Sequence, residues 1–223
     1  LASLIQRSSS AVSWKLANFA RLDPSLQKRS IGGASHGSKA DIDIWNEFNS
    51  DWDSLAYESE KLLAKLTSKS LIRVVENEGD ILPKEGKDRE AVVRVRVNQA
   101  FFRSIVLAAH NHQCCITGLS IIELLNASHI VPWSRDKANR VNPQNGICLN
   151  ALHDRAFDRG FITILPDFTV KVSKQIKDTA VEDATTQFLK SYDGGKIQLP
   201  KRFLPRIEFL IYHNQNVFRD KFK

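Results

Sequence analysis

The stretch Cys114–Ile164 reads CCITGLSIIELLNASHIVPWSRDKANRVNPQNGICLNALHDRAFDRGFITI. Its apolar run from Leu119 leads into Ala127-Ser128-His129-Ile130-Val131-Pro132. That pattern predicts a β-hairpin, with His129 at a strand end beside a Pro132-Trp133-Ser134 turn. A polar, basic loop follows, and Asn145-Gly146 is a strong turn pair. Ile147, Cys148 and Leu149 make a short strand or a helix entry. Residues 150–158 then read as a helix that Gly160 ends.

The side chains on these elements carry chemistry. His129 has the pKa range of a general base at neutral pH, and a strand end both exposes and aims it. Asn145 offers a donor and an acceptor without charge, so its amide can tie the loop to the backbone and hold His129 in register. Asn150, Asp154 and Asp158 stand four apart on one helix face, and His153 lies about a third of a turn away. Imidazole with carboxylate or amide oxygens makes a ligand set for a divalent ion, so His153, Asp154 and Asn150 are the candidate metal ligands. Asp158, inside Phe-Asp-Arg-Gly, reads instead as a structural pin.

Upstream, residues 1–75 read as mainly helical. Within residues 1–26, two helices flank a polar turn, and the second carries Val12, Leu16, Phe19 and Ala20 on one side. Lys15, Asn18 and Arg21 lie opposite, which makes a helix-turn-helix reader of DNA and a packed helical hairpin equal alternatives. From Ser38 a long helix is expected, with Trp45, Phe48, Trp52, Leu55, Leu62 and Leu66 as its apolar stripe. Residues 76–91 are charged, contain Gly and Pro, and read as a linker to a second region, 92–223. In that region helix signals resume at Asn98 or Gln99, after a run of valines around Arg94 and Arg96. Arg94, Arg96, Arg135 and Arg140 are candidates for phosphate contact. Further hairpin and helix signals surround Pro166-Asp167 and cover residues 208–223.

The chain has 223 residues, a formal charge of +7 and a pI near 9.4, which favours a polyanionic partner such as double-stranded DNA. No apolar run is long enough to span a membrane, and three cysteines make no even secreted framework. These features predict a reduced, intracellular (cytoplasmic) protein.

Three separated blocks, Ala-Ser-His-Ile-Val-Pro-Trp, Asn-Gly-Ile-Cys-Leu and His-Asp-Arg-Ala-Phe-Asp-Arg-Gly, occur in order and resemble the HNH endonuclease family, in its restriction-type branch. Phe101-Phe102-Arg103 and Cys115-Ile116-Thr117-Gly118 resemble the lead-in of that branch, so the likeness covers roughly residues 94–164. The resemblance implies an α+β fold, a ββα-metal nuclease core preceded by a mainly helical N-terminal region. It implies His129 as base, Asn145 as its orienting partner and His153 as metal ligand. Ser128 stands where many such sites carry a ligand, and the family's second histidine aligns with either His153 or Asp154. The implied activity is restriction or defence cleavage of DNA with Mg²⁺ or Mn²⁺, by a homodimer. A DNA-binding regulator with a degenerate nuclease site is the alternative. With no second cysteine pair, no structural zinc is expected.

Overall fold

A run of Asn, Ser and Asp at residues 49–51 breaks the long helix expected from Ser38. In the computed structural model, which describes residues 1–68, 87–179 and 183–220, that stretch separates helices α3 (Lys39–Phe48) and α4 (Trp52–Leu66). The Asp51 carboxylate accepts from the Ser54 amide and starts α4 afresh. Short polar side chains compete with the backbone for its hydrogen bonds, so such a run restarts a helix more readily than it continues one. Residues 76–86 of the expected linker lie outside the described residues.

The chain divides into two compact units, Leu1–Asn98 and Gln99–Lys223. In the first, residues 2–6 form turns rather than the expected first helix. They precede α1 (Ser9–Ala20) and the short α2 (Pro24–Lys28). Asp41 caps α3 reciprocally with Ser38 and is only 3% exposed. It accepts from Lys15 Nζ at 2.7 Å and from Asn18 Nδ2 at 3.0 Å. The Lys15 ammonium, with help from Ser38 and Asn18, holds the Asp41 carboxyl down at about 2. The expected faces of α1 hold only in part: Val12, Phe19 and Ala20 are half-buried, but Leu16 stays 63% exposed, and Lys15 and Asn18 reach Asp41 on α3. A buried carboxylate without donors costs several kcal/mol, more than leaving one leucine in water.

Helix α5 (Lys87–Ala109) contains the valine run that precedes the expected helix start. Val93 and Val97, one turn apart, are buried and pack with Tyr57. Helical spacing of the buried positions overrides the β-preference of valine. Arg94 is paired with Asp53 at 2.6 Å and lies over the Tyr57 ring at 5.1 Å.

In the second unit β1 (Leu125–His129) pairs antiparallel with β2 (Gly146–Asn150), in register from Leu125↔Asn150 to His129↔Gly146. The partner of the histidine strand is thus β2, across a long connection. Every residue of β2 is buried. Gly146 is required by close packing: a Cβ there would stand 2.4 Å from Val106 Cγ2 and 2.7 Å from Phe102 Cζ. Helix α6 (Ala151–Asp158) packs across both strands and ends at Gly160, whose φ is +69°. The expected hairpin around Pro166-Asp167 forms from β3 (Ile162–Ile164) and β4 (Val170–Val172). Two short helices follow, α7 (Lys174–Lys177) and α8 (Ala184–Lys190), and then α9 (Ile207–Asn216), which lies on β3. The chain is therefore α+β, with a ββα unit at the centre of its second part.

Three histidines, His110, His153 and His213, are buried, and burial lowers each from 6.5 to about 4. Between those values the unfolded chain binds more protons than the folded one. Stability is therefore full above about pH 6.5 and falls as pH drops toward 4. Denaturant midpoints at about pH 7.5 and about pH 5 measure this, and equal midpoints would contradict it.

Candidate active site

The ββα unit opens onto a cleft of about 620 Å³, lined by Phe102, Ser128, His129, Trp133, Asp154 and Asp158 among others. His129 ends β1 there. Its Nε2 lies 2.8 Å from the Arg140 carbonyl oxygen. A carbonyl can only accept, so Nε2 carries the proton and Nδ1 keeps its lone pair. Among the described residues Nδ1 has no hydrogen-bond partner. Phe102 stacks under the ring at 3.9 Å, nearly parallel at 12°, and Trp133 meets it edge-on at 5.4 Å. Burial lowers the His129 pKa below its ordinary 6.5, outweighing the Arg140 carbonyl and the Asp154 charge, which raise it. The imidazole is thus held neutral, with one nitrogen fixed and the other available.

The loop after β1 is fastened by Asn145, 1% exposed. Its Oδ1 accepts from the Val131 amide at 2.8 Å, and its Nδ2 donates to the Val131 and Asn139 carbonyls, each at 3.2 Å. These bonds join the residues following His129 to those preceding the Arg140 carbonyl. Asn145→Ala removes all three bonds and leaves buried backbone groups unpaired. A loss of about 2–4 kcal/mol in unfolding free energy is expected. A loss below about 1 kcal/mol would mean that the clamp does not hold the loop.

Arg140 also serves the loop. Its Nε donates to the Trp133 carbonyl at 2.8 Å, and its guanidinium lies 5.0 Å from the Trp133 ring centre. The side chain expected to meet phosphate is engaged beside the base instead. Arg135 is exposed and Arg96 half-buried. The Nε and Nη2 of Arg21 are enclosed, with Gly37 against Nη2. Lys15 and Asn18 are engaged with Asp41 and Arg94 with Asp53, within the first unit; in the second, neither Arg135 nor Arg140 is among the residues lining the cleft.

Helix α6 separates the two candidate ligands that the sequence places side by side. Asn150 caps the helix: its Oδ1 accepts from the His153 amide at 3.0 Å and faces His153 Nδ1 at 3.1 Å. Its Nδ2 donates to Thr117 Oγ1 at 3.2 Å. His153 is 1% exposed, set against Phe188 and Tyr192 at 5.1 and 5.4 Å. Neither Asn150 nor His153 reaches the cleft. One residue further along, about 100° around the helix, Asp154 does. Asn126 Nδ2 donates to its Oδ2 at 2.7 Å, and the Ser128 hydroxyl donates to its Oδ1. Burial and the neighbouring Asp154 charge raise the Asp158 pKa, against Arg155 and Arg159.

Among the described residues no cluster of three or more His, Cys, Asp or Glu side chains converges. The cleft nevertheless suits a hard cation. Mg²⁺ is commonly bound through one or two carboxylates, with water and substrate phosphate completing its shell. Asp154 and Asp158 both line the cleft and supply oxygen donors; the Asp158 pKa is raised first by burial and then by the Asp154 charge. The sequence places Asp158 four residues from Asp154, where it reads as a structural pin; the structure sets it in the cleft with Asp154. Phe102 and Trp133 carried no such signal, because only the folded chain brings them to the histidine.

Two antiparallel strands crossed by a helix, with a strand-end imidazole and a helix carboxylate facing one cleft, form a ββα unit. The sequence model of the HNH endonuclease family matches residues 114–165, the span from the turn before β1 through β3. Among solved structures the chain is similar to a modification-dependent TagI restriction endonuclease. Identity is 19%, over 52% of this chain and 37% of that one, with a TM-score of 0.40. No curated protein matches the chain. Among the described residues no helix is long and apolar enough to cross a membrane.

Proposed function

We propose that the chain is a metal-dependent endonuclease that hydrolyses phosphodiester bonds of duplex DNA, of restriction or defence type. The observation that carries this is His129, fixed at Nε2 and free at Nδ1, in one cleft with Asp154 and within the HNH segment. Nδ1 takes a proton from water as the water oxygen forms its bond to phosphorus, and the bond from phosphorus to the 3′ oxygen breaks. The Arg140 carbonyl, accepting from Nε2, and the Asp154 charge both stabilise the imidazolium that results. Asn145 keeps the loop, and with it that carbonyl, in place. Asp154, with Asp158 beside it, would hold the divalent ion, Mg²⁺ or Mn²⁺. That ion supplies charge stabilisation to the phosphate and the departing oxygen when bound.

The regulator reading rests on Ser128 as a lost ligand. Here Ser128 has a role of its own, donating to Asp154, which favours the nuclease. Cutting both strands of a duplex calls for two such sites, and a C2 homodimer in the cytoplasm is the assembly we propose. Nicking of supercoiled plasmid with Mg²⁺ or Mn²⁺, and its loss in chelator, tests the reading. No nicking with either ion would overturn it.

A further inference from the structure

We propose that α6 grips the substrate strand through a basic row, Arg155 and Arg159, running beside its acidic row, Asp154 and Asp158. The inference rests on the reading of the cleft as a DNA site and names the side chains that neutralise the strand there. All four residues line the cleft. Each row has the i, i+4 spacing that puts two side chains on one helix face, about 6 Å apart along the axis. In the acidic row, Asp154 faces β1 through Asn126 and Ser128. The basic row is exposed, and among the described residues its guanidinium groups make no hydrogen bond or ion pair. Their electrostatic effect is felt at Asp158, whose pKa they lower against the larger effect of burial.

Elimination strengthens the assignment. The third arginine of the cleft, Arg103, donates to the Leu125 carbonyl at 2.6 Å and the Ile122 carbonyl at 3.3 Å, and so fastens α5 to β1. Arg219, near the end of α6, donates to the Arg159 carbonyl and to Gln175 and covers the Phe161 ring. Arg140 is engaged with Trp133. Arg155 and Arg159 therefore keep their full donor sets for a ligand, and a planar guanidinium matches phosphate oxygens bidentately. A polyanion entering the cleft meets these two cations beside the carboxylates that would hold the metal ion. This places phosphates on one row and the cation on the other.

The test is the salt dependence of binding. The full chain carrying His129→Ala, so that it does not cut, is titrated with a random duplex of about 25 base pairs in Mg²⁺ across a salt series. Each phosphate contact contributes about 0.9 to the slope of log K against log salt. Arg155→Ala and Arg159→Ala are each expected to flatten that slope by about 0.9, and the double variant by about 1.8. Slopes equal to the parent's overturn the basic row. Should alanine destabilise α6, seen as a lowered thermal midpoint, Arg155→Gln and Arg159→Gln remove charge while keeping length, and the same criterion applies. A parent that does not bind the duplex at all overturns the DNA reading itself, a result distinct from unchanged slopes in a parent that binds.

Discussion

Replacing His129 with alanine is expected to lower the rate of DNA cleavage by about 10²–10⁴-fold while leaving duplex affinity near that of the parent. Nδ1 acts only when the proton leaves the water, so its loss falls on the chemical step. The side chain lies between Phe102 and Trp133 and donates to a backbone carbonyl, so it holds no phosphate itself. Single-turnover cleavage separates the two quantities. The pH profile adds a second signature. The base must be neutral, and burial has lowered its pKa below 6.5. Activity should therefore persist below pH 6.5 and fall only as pH drops through the lowered value. A variant that loses binding and cleavage in equal measure would make His129 a structural residue.

How far the sequence reveals this site depends on what each signal measures. The strand end at His129 and the helix that Gly160 stops were legible because local chemistry sets them. Asn145-Gly146, by contrast, read as a turn pair, is the end of a 3₁₀ helix and the first residue of β2, and Asn150, read as a ligand, caps α6. The pairing of β1 with β2 was not legible, since antiparallel register across a long loop is decided by burial of β2 and by the tight fit at Gly146. In the first unit the apolar stripe of α1 was legible for Val12, Phe19 and Ala20, which are half-buried, but not for Leu16, which is exposed. A single buried carboxylate, Asp41, draws Lys15 and Asn18 inward, and an amphipathic pattern registers hydrophobicity but not the demands of one buried charge. Arginines were the hardest to read. Arg94 and Arg140 look like phosphate contacts in the chain but are engaged by Asp53 and Trp133, whereas Arg155 and Arg159, which the sequence did not single out as such, line the cleft.

The sequence leaves His153 and Asp154 as rival metal ligands, and the two faces of α6 lead to opposite results for them. Asp154→Ala removes the carboxylate that Asn126 and Ser128 aim into the cleft. Cleavage is expected to fall by about 10²-fold or more, because a ligand that serves charge stabilisation in the transition state is lost. Half-maximal activity should require more Mg²⁺. His153→Ala instead empties a buried space between Asn150, Phe188 and Tyr192 and takes one donor from the helix cap. Its expected cost is about 2–4 kcal/mol of stability, in the range of other large-to-small core exchanges. The Mg²⁺ concentration for half-maximal cleavage should stay where it was, below the temperature at which the variant unfolds. Urea unfolding and a Mg²⁺ titration of cleavage, run on both variants, read the two effects separately. If His153→Ala shifts the Mg²⁺ requirement and Asp154→Ala does not, the cation lies on the other face of α6, and the acidic row is not its site.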